Sequence, residues 1–317
     1  MFRSLYTQLS LWIVGLVLLT SCDSLRQEVN PDRLNRESAK LVVTCFLSPQ
    51  DTVLAVKVSR SQPVLGEETG GLYTGNTVAN ATVTISQGGQ SVQLPFVSSQ
   101  AYYKIDAKQL PVLAGQTYTL TVQTPNGEQA TSRCIIPEPV VMTSVTFDSI
   151  ADNQFGQRRT RYFVRARWDD PANQVNYYQL TGLFQAIQNC LGCERSPTYK
   201  EQVLYNNLYF RDNSNGLLTD RTTNGGPMIS DRGFLGGGYT FFNGQQVGFT
   251  SQYKTASVQA NLLNTDQAYY LYQDAIARQS EVSGNPFAEP VPVPTNLTGA
   301  LGCFAGYNRS TITLKIK

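Results

Sequence analysis

The chain has 317 residues, is 41% hydrophobic and 15% charged, and contains no histidine. The missing imidazole excludes Ser-His-Asp and Cys-His nucleophile activation and every His-ligated zinc or iron site. Charges nearly balance, at 25 Lys+Arg against 23 Asp+Glu, which argues against a nucleic-acid binder.

Residues 1–21 carry one cation, Arg3, followed by an apolar run from Leu9 to Leu19. That is a signal-peptide n-region and h-region, too short for the ~20 apolar residues of a spanning helix. The run ends Leu19-Thr20-Ser21-Cys22, the pattern of a bacterial lipobox. It predicts lipid attachment at Cys22, with acyl chains of the palmitate kind; more than one chain makes anchoring stable. The mature protein is then held by a membrane without spanning it. Residues 22–40 are polar, mixed in charge and aperiodic, with Pro31 among them. They read as a flexible tether.

Residues 41–139 read as an immunoglobulin-like β-sandwich. Leu41 to Leu47 is a dense apolar run stopped by Ser48-Pro49, and Val53 to Val58 alternates. Ala81 to Ile85 alternates and meets Gly88-Gly89, a hairpin-type turn. Val92 to Leu94 and Tyr102 to Ile105 follow. Tyr118-Thr119-Leu120-Thr121-Val122 places Tyr118, Leu120 and Val122 on one core face. The next turn, Pro125-Asn126-Gly127, is expected to be type I′, with Asn126 and Gly127 at positive φ. Ala130 to Ile136 closes a set of about seven short strands at the spacing of such a sandwich.

Residues 140–317 read as a β-rich C-terminal domain with one amphipathic helix near 265–283. Arg161 to Trp168 alternates cations with bulky residues, giving a basic outer face (Arg161, Arg165, Arg167) and an inner face with Tyr162, Ala166 and Trp168. Strands are expected over 177–187, 199–210, 239–249 and 257–263. The segment 211–238 is rich in Gly, Asn, Asp, Ser and Thr and reads as a long loop or several turns, of the sort that is functional or disordered. Asn264 is placed as helix cap, with Ala268, Leu271, Tyr272, Ala275 and Ile276 as the core stripe and Asp274–Arg278 as an i,i+4 pair. The alternating prolines from Pro286 to Pro294 enforce an extended run. Leu301 to Tyr307 and Ser310 to Ile316 read as a closing β pair.

Candidate chemistry is sparse. Cys190-Leu191-Gly192-Cys193 is a CxxC in a loop, read first as a loop-closing disulfide, next as free thiols, and last as a redox or metal pair. A zinc site would need a second CxxC or a histidine. Cys45 and Cys134 lie in the first and last sandwich strands and could form a second disulfide if those strands neighbour. Cys303 is then left as a buried thiol. Glu67-Glu68 and Asp169-Asp170 are the carboxylate doublets; adjacent strand residues face opposite ways, so neither is a catalytic pair. Residues 211–216 fail the spacing of a calcium loop, and Gly233 to Gly238 fails GxGxxG. Most of the aromatics are explained by strand packing; Phe210 and Phe234 flank the 211–238 segment. No cofactor and no metal are expected.

Several segments together resemble the Bacteroidota lipoprotein family catalogued as domain of unknown function 4249. They are Cys22 with its polar stalk, the opening strand Leu41 to Ser48, and Leu113-Ala114-Gly115-Gln116-Thr117-Tyr118. The C-terminal series is the most specific: Tyr269 to Tyr272, Asn285 to Val291, Thr295-Asn296-Leu297 and Gly299 to Tyr307. Cys45 and Cys303 depart from that pattern. The resemblance implies an immunoglobulin-like N-terminal domain, a β-rich C-terminal domain and an outer-membrane lipoprotein, often encoded beside TonB-dependent receptors. It carries over no catalytic residue.

The expectation is a non-enzymatic lipoprotein of the outer membrane, at its periplasmic face or the cell surface. Its partner is a TonB-dependent transporter, with no nucleic acid. The alternative is a stand-alone surface protein binding a glycan or peptide. A hydrolase would need two carboxylates facing across a cleft. A docking protein predicts an apolar or aromatic patch, and a binding module predicts a concave aromatic pocket.

Overall fold

The computed structural model describes residues 39–61, 76–154, 157–189, 200–210, 215–222, 224–236, 241–242, 245–282, 289 and 291–317. Cys22, the tether up to residue 38, Glu67-Glu68, Cys190 and Cys193 lie outside the described residues. Lys40–Arg60 and Asn76–Lys317 form one compact unit.

The protein is mainly β with one long helix. The first eight strands are β1 (Leu41–Leu47), β2 (Val53–Arg60), β3 (Thr82–Gln87), β4 (Gln90–Leu94), β5 (Phe96–Val97), β6 (Tyr102–Asp106), β7 (Thr117–Gln123) and β8 (Gln129–Ile135). Then come β9 (Met142–Gln154), β10 (Gln157–Asp170), β11 (Tyr177–Gln188), β12 (Val203–Phe210), β13 (Leu217–Thr219), β14 (Gly226–Ile229) and β15 (Gly233–Leu235). The chain ends with β16 (Phe241–Phe242), β17 (Gln245–Gln246), the short helix α1 (Phe249–Gln252), β18 (Tyr253–Thr265), α2 (Gln267–Val282) and β19 (Leu301–Lys315).

The first core lies between two layers. One is β19-β1-β2-β6-β5 and the other is β4-β3-β7-β8. Period-two alternation turns Val43, Cys45 and Leu47 inward from one layer and Tyr118, Leu120 and Val122 from the other, all in a single cluster. Full burial of each aliphatic side chain contributes about 1.5–3 kcal/mol. The Tyr118 hydroxyl donates to Pro111 O and accepts from Leu113 N, at 2.9 Å each. That is a tyrosine corner, a device of immunoglobulin-type sandwiches. It explains the Leu113-to-Tyr118 segment, in which Gly115 turns the chain at φ 71°.

Two turns show how local chemistry sets the hairpins. Gly88 and Gly89 both have positive φ, as the β3–β4 hairpin requires. The β7–β8 turn is not type I′. Only Gly127 is left-handed, at φ 86°. Gly127 N donates to Thr124 O and Thr124 N to Glu128 O. Pro125, with its fixed φ, favours a right-handed turn, and the extra residue is absorbed at glycine.

The last strand completes the first core. β19 pairs in parallel with β1 through Val42↔Leu301 to Leu47↔Gly306, and then antiparallel with β18 through Thr265↔Tyr307 to Ser257↔Lys315. The boundary placed between 139 and 140 is therefore no break in the fold. One 13-stranded sheet runs through both regions. The supposed closing pair is likewise one strand. Asn308, where a turn was expected, donates to Pro137 O and accepts from Gln50 without interrupting the ladder.

The second core lies inside the curl of β14-β10-β15-β12-β11-β18-β19, with β9 paired along β10. Val164, Ala166, Trp168, Tyr178, Phe184, Val258 and Leu262 fill it. The curl brings β9 back to β19, where Met142 N donates to Ser310 Oγ at 2.9 Å. The segment 211–238 is not one loop: it contributes β13, β14 and β15 to this sheet.

Asp266, not Asn264, caps α2. Its carboxylate accepts from Tyr269 N and from Gly306 N, at 2.8 Å each, which ties the helix start to β19. Asn264 lies within β18 instead, and its amide donates to Glu138 O. The helix also sits rotated from the expected stripe. Tyr269 and Ala275 are buried, whereas Leu271 and Ile276 are exposed. Tyr269 meets Phe46 edge-on, lies against Tyr307 and donates its hydroxyl to Gln179, and these contacts hold the helix in that rotation. The Asp274–Arg278 pair forms at 2.7 Å.

Candidate functional site

The alternation of β10 separates core from outer face. Tyr162, Val164, Ala166 and Trp168 point into the second core, so Arg161, Phe163, Arg165 and Arg167 share the outer side. The register places Phe234 of β15 opposite Phe163, and Tyr209 of β12 opposite Phe234. Phe163 and Phe234 meet edge to face at 5.8 Å.

Three guanidinium groups cover this ring pair. Arg161 lies 3.7 Å from the Phe234 centroid and Arg232 lies 5.4 Å from it. Arg232 and Arg165 lie 5.8 and 6.0 Å from Phe163. Cations over aromatic faces are held there electrostatically. Arg161 also keeps a long 3.5 Å contact with Asp152.

Along β12 the same face carries Tyr205 and Tyr209, exposed by 61% and 48%. Beside them β12 and β11 part company beyond Leu183↔Asn207, since β12 turns to β15 and β11 turns to β13. The gap is an open groove of about 420 Å³, with Gln179, Thr181, Asn207, Tyr209 and Asn215 among its walls. Its floor is close-packed: a Cβ on Gly182 would lie 2.4 Å from Leu208 Cδ1. The polar side continues as a chain of bonds, in which Thr311 donates to Asn261 Oδ1 and the Asn261 amide donates to Thr181.

The carboxylates behave differently. Asp169 is exposed and Asp170 is buried, so the doublet splits between faces. Asp170 accepts from the Tyr178 hydroxyl, from the Asn176 amide and from Gly225 N. Asp220, fully buried, accepts from Asn176 N. Burial above all, with Asp170 beside it, raises the Asp220 carboxyl above its ordinary range. Burial, with Asp170 at its hydroxyl, likewise pushes Tyr178 up. These groups lock the β10–β11 turn to the segment after β13 rather than lining an open cleft.

Cys45, Cys134 and Cys303 are free thiols, all buried. The Cys45–Cys134 bridge is not made. β1 sits between β19 and β2, while β8 pairs with β7 in the opposite layer, so the two strands are not neighbours. Burial first, and then the Asp266 carboxylate, pushes the Cys303 thiol up to about 12. A protonated thiol is a poor nucleophile and metal ligand.

The sequence marked Arg161, Arg165 and Arg167 as a basic face, and Phe234 as a flanking aromatic. It missed Phe163, Tyr205, Tyr209 and Arg232 as members of one surface. The available signal was parity: Phe163 shares odd numbering with the arginines, and Tyr205 and Tyr209 share a strand face.

Fold and face define a mainly-β protein with two large cores and a smaller cluster beneath α2, whose chemistry-bearing side chains spread over an open sheet face and an adjoining groove. The chain belongs to the family described as Domain of unknown function (DUF4249), whose model matches residues 26–313. No curated protein matches it. Thr295-Asn296-Leu297 and Gly299 to Tyr307 meet at the β1–β19 seam. The Asn296 side chain bonds both Phe304 N and Phe304 O as a strand would. Gly302, at φ 111°, lets β19 pass where a Cβ would lie 2.0 Å from Val43 O.

Proposed function

We propose that the protein is a non-enzymatic lipoprotein, tethered at Cys22 to the outer membrane. It serves as an accessory of a TonB-dependent transporter, presenting its outer sheet face to what the transporter admits. The observation that carries this reading is the convergence of Arg161, Arg165 and Arg232 on Phe163 and Phe234, with exposed Tyr205 and Tyr209 alongside. Stacked cations and exposed aromatics are the composition of recognition surfaces. The test is purification of the C-terminally tagged protein from membranes in mild detergent, with partner stoichiometry measured. A near-equimolar β-barrel transporter is expected. Recovery of the lipoprotein alone, also after crosslinking, would overturn the accessory role.

The groove beside Tyr209 favours a second reading, a stand-alone surface protein that binds a glycan or peptide without a transporter. Its volume of about 420 Å³ falls in the range of small-ligand sites.

A further inference from the structure

We infer that the outer face takes an anionic carbohydrate chain of the polyuronate kind, with carboxylates on Arg161, Arg165 and Arg232 and sugar rings on Tyr205 and Tyr209. The inference rests on the reading that this face is the binding surface, and adds the chemistry of its ligand.

Charge is the first argument. On paired β9 and β10 the outer side carries Arg159, Arg161, Arg165 and Arg167 against Asp148, Asp152 and Asp169. The cations therefore outnumber the carboxylates. Planar guanidinium forks, stacked on rings, match the two oxygens of a carboxylate. Shape is the second. Tyr205 and Tyr209 are four residues apart on one strand face, about 13 Å at strand rise. An elongated platform suits a chain of rings better than a single one. The third argument is the hydrogen-bonding surface beyond the tyrosines. Thr181, Asn261 and Thr311 form a chain of amides and hydroxyls across β11, β18 and β19, suited to sugar hydroxyls. Arginine clusters also recognise acidic peptides, so the tyrosine platform and the Thr181-Asn261-Thr311 chain are what favour a sugar chain here, and poly-glutamate is the competing ligand in the test.

The full-length protein in detergent is titrated with polygalacturonate, with dextran as the neutral glycan and with poly-glutamate as the acidic peptide. Polygalacturonate should bind at least about tenfold more tightly than either, and weaken as salt rises. Arg161→Gln and Tyr205→Ala should each weaken it about tenfold with an unchanged melting temperature. Arg161→Lys, which keeps the charge but loses the planar fork, should fall between. Poly-glutamate binding as tightly as polygalacturonate, or indifference to Tyr205→Ala, would overturn the carbohydrate assignment. So would failure of all three polymers to bind. In that last case recovery of a transporter that depends on Arg161 would keep the face as the working surface, and its absence would remove that reading too.

Discussion

Asp266 joins the start of α2 to β19, and its burial has a thermodynamic consequence. Burial raises its carboxyl to about 6, against the opposing hydrogen bonds of Tyr269 N, Gly306 N and Ala268 N. The folded pKa lies above the ordinary 3.8, so between those values the native state holds a proton that the unfolded chain has lost. This group's stabilising contribution is therefore full below about pH 4. It is lost as pH rises through about 6, by about 3 kcal/mol at the limit. Relative to Asp266→Asn, the wild type should lose urea resistance from pH 4.5 to pH 7; parallel curves would show that Asp266 does not titrate there. Tyr118 offers a second residue-level test. Tyr118→Phe strands Leu113 N–H and should cost about 1–3 kcal/mol, read as a lower urea midpoint. An unchanged midpoint would mean that water replaces the hydroxyl.

At the scale of the element, glycines separate backbone need from space. Gly302 has φ 111° and a Cβ there would lie 2.0 Å from Val43 O. Gly127 has φ 86° with open space around it. Gly127→Ala should cost about 1–2 kcal/mol, the penalty for left-handed backbone. Gly302→Ala should cost far more, because the β1–β19 pairing must open to admit the methyl. Equal melting temperatures for the two variants would contradict the close approach. The strands of the first core were legible because one face is buried and period two survives in Tyr118-Thr119-Leu120-Thr121-Val122. The α2 rotation was not, since Leu271 and Ile276 fit the apolar stripe equally well, and the contacts that orient the helix, Phe46 and Tyr307 against Tyr269 and Gln179 at its hydroxyl, come from other elements. Nor were β13, β14 and β15, which are three or four residues long and depend on partners in β10, β11 and β12. For the surface, Arg161, Arg165 and Arg167 were readable from β10 alone, whereas Arg232 was not. Phe234 and Tyr209 joined them only through register across three strands.

For the whole molecule, β19 is the shared strand. It borders the first core through β1 and the second through β18. The halves should therefore unfold together. Deleting residues 301–317 should expose both to protease at once; survival of residues 41–139 as a resistant fragment would mean that the sandwich stands without its last strand. The pairing of β1 with β19 could not be read from sequence, because it links positions some 260 residues apart.

The working surface is tested most directly by photocrosslinking in intact cells. A benzophenone amino acid replaces Tyr205, on the proposed face, or Leu113, which is 57% exposed on the sandwich. Adducts, whether to glycan or to protein, should form at Tyr205 and not at Leu113. Adducts at Leu113 alone, or equally at both, would place the business of the molecule elsewhere.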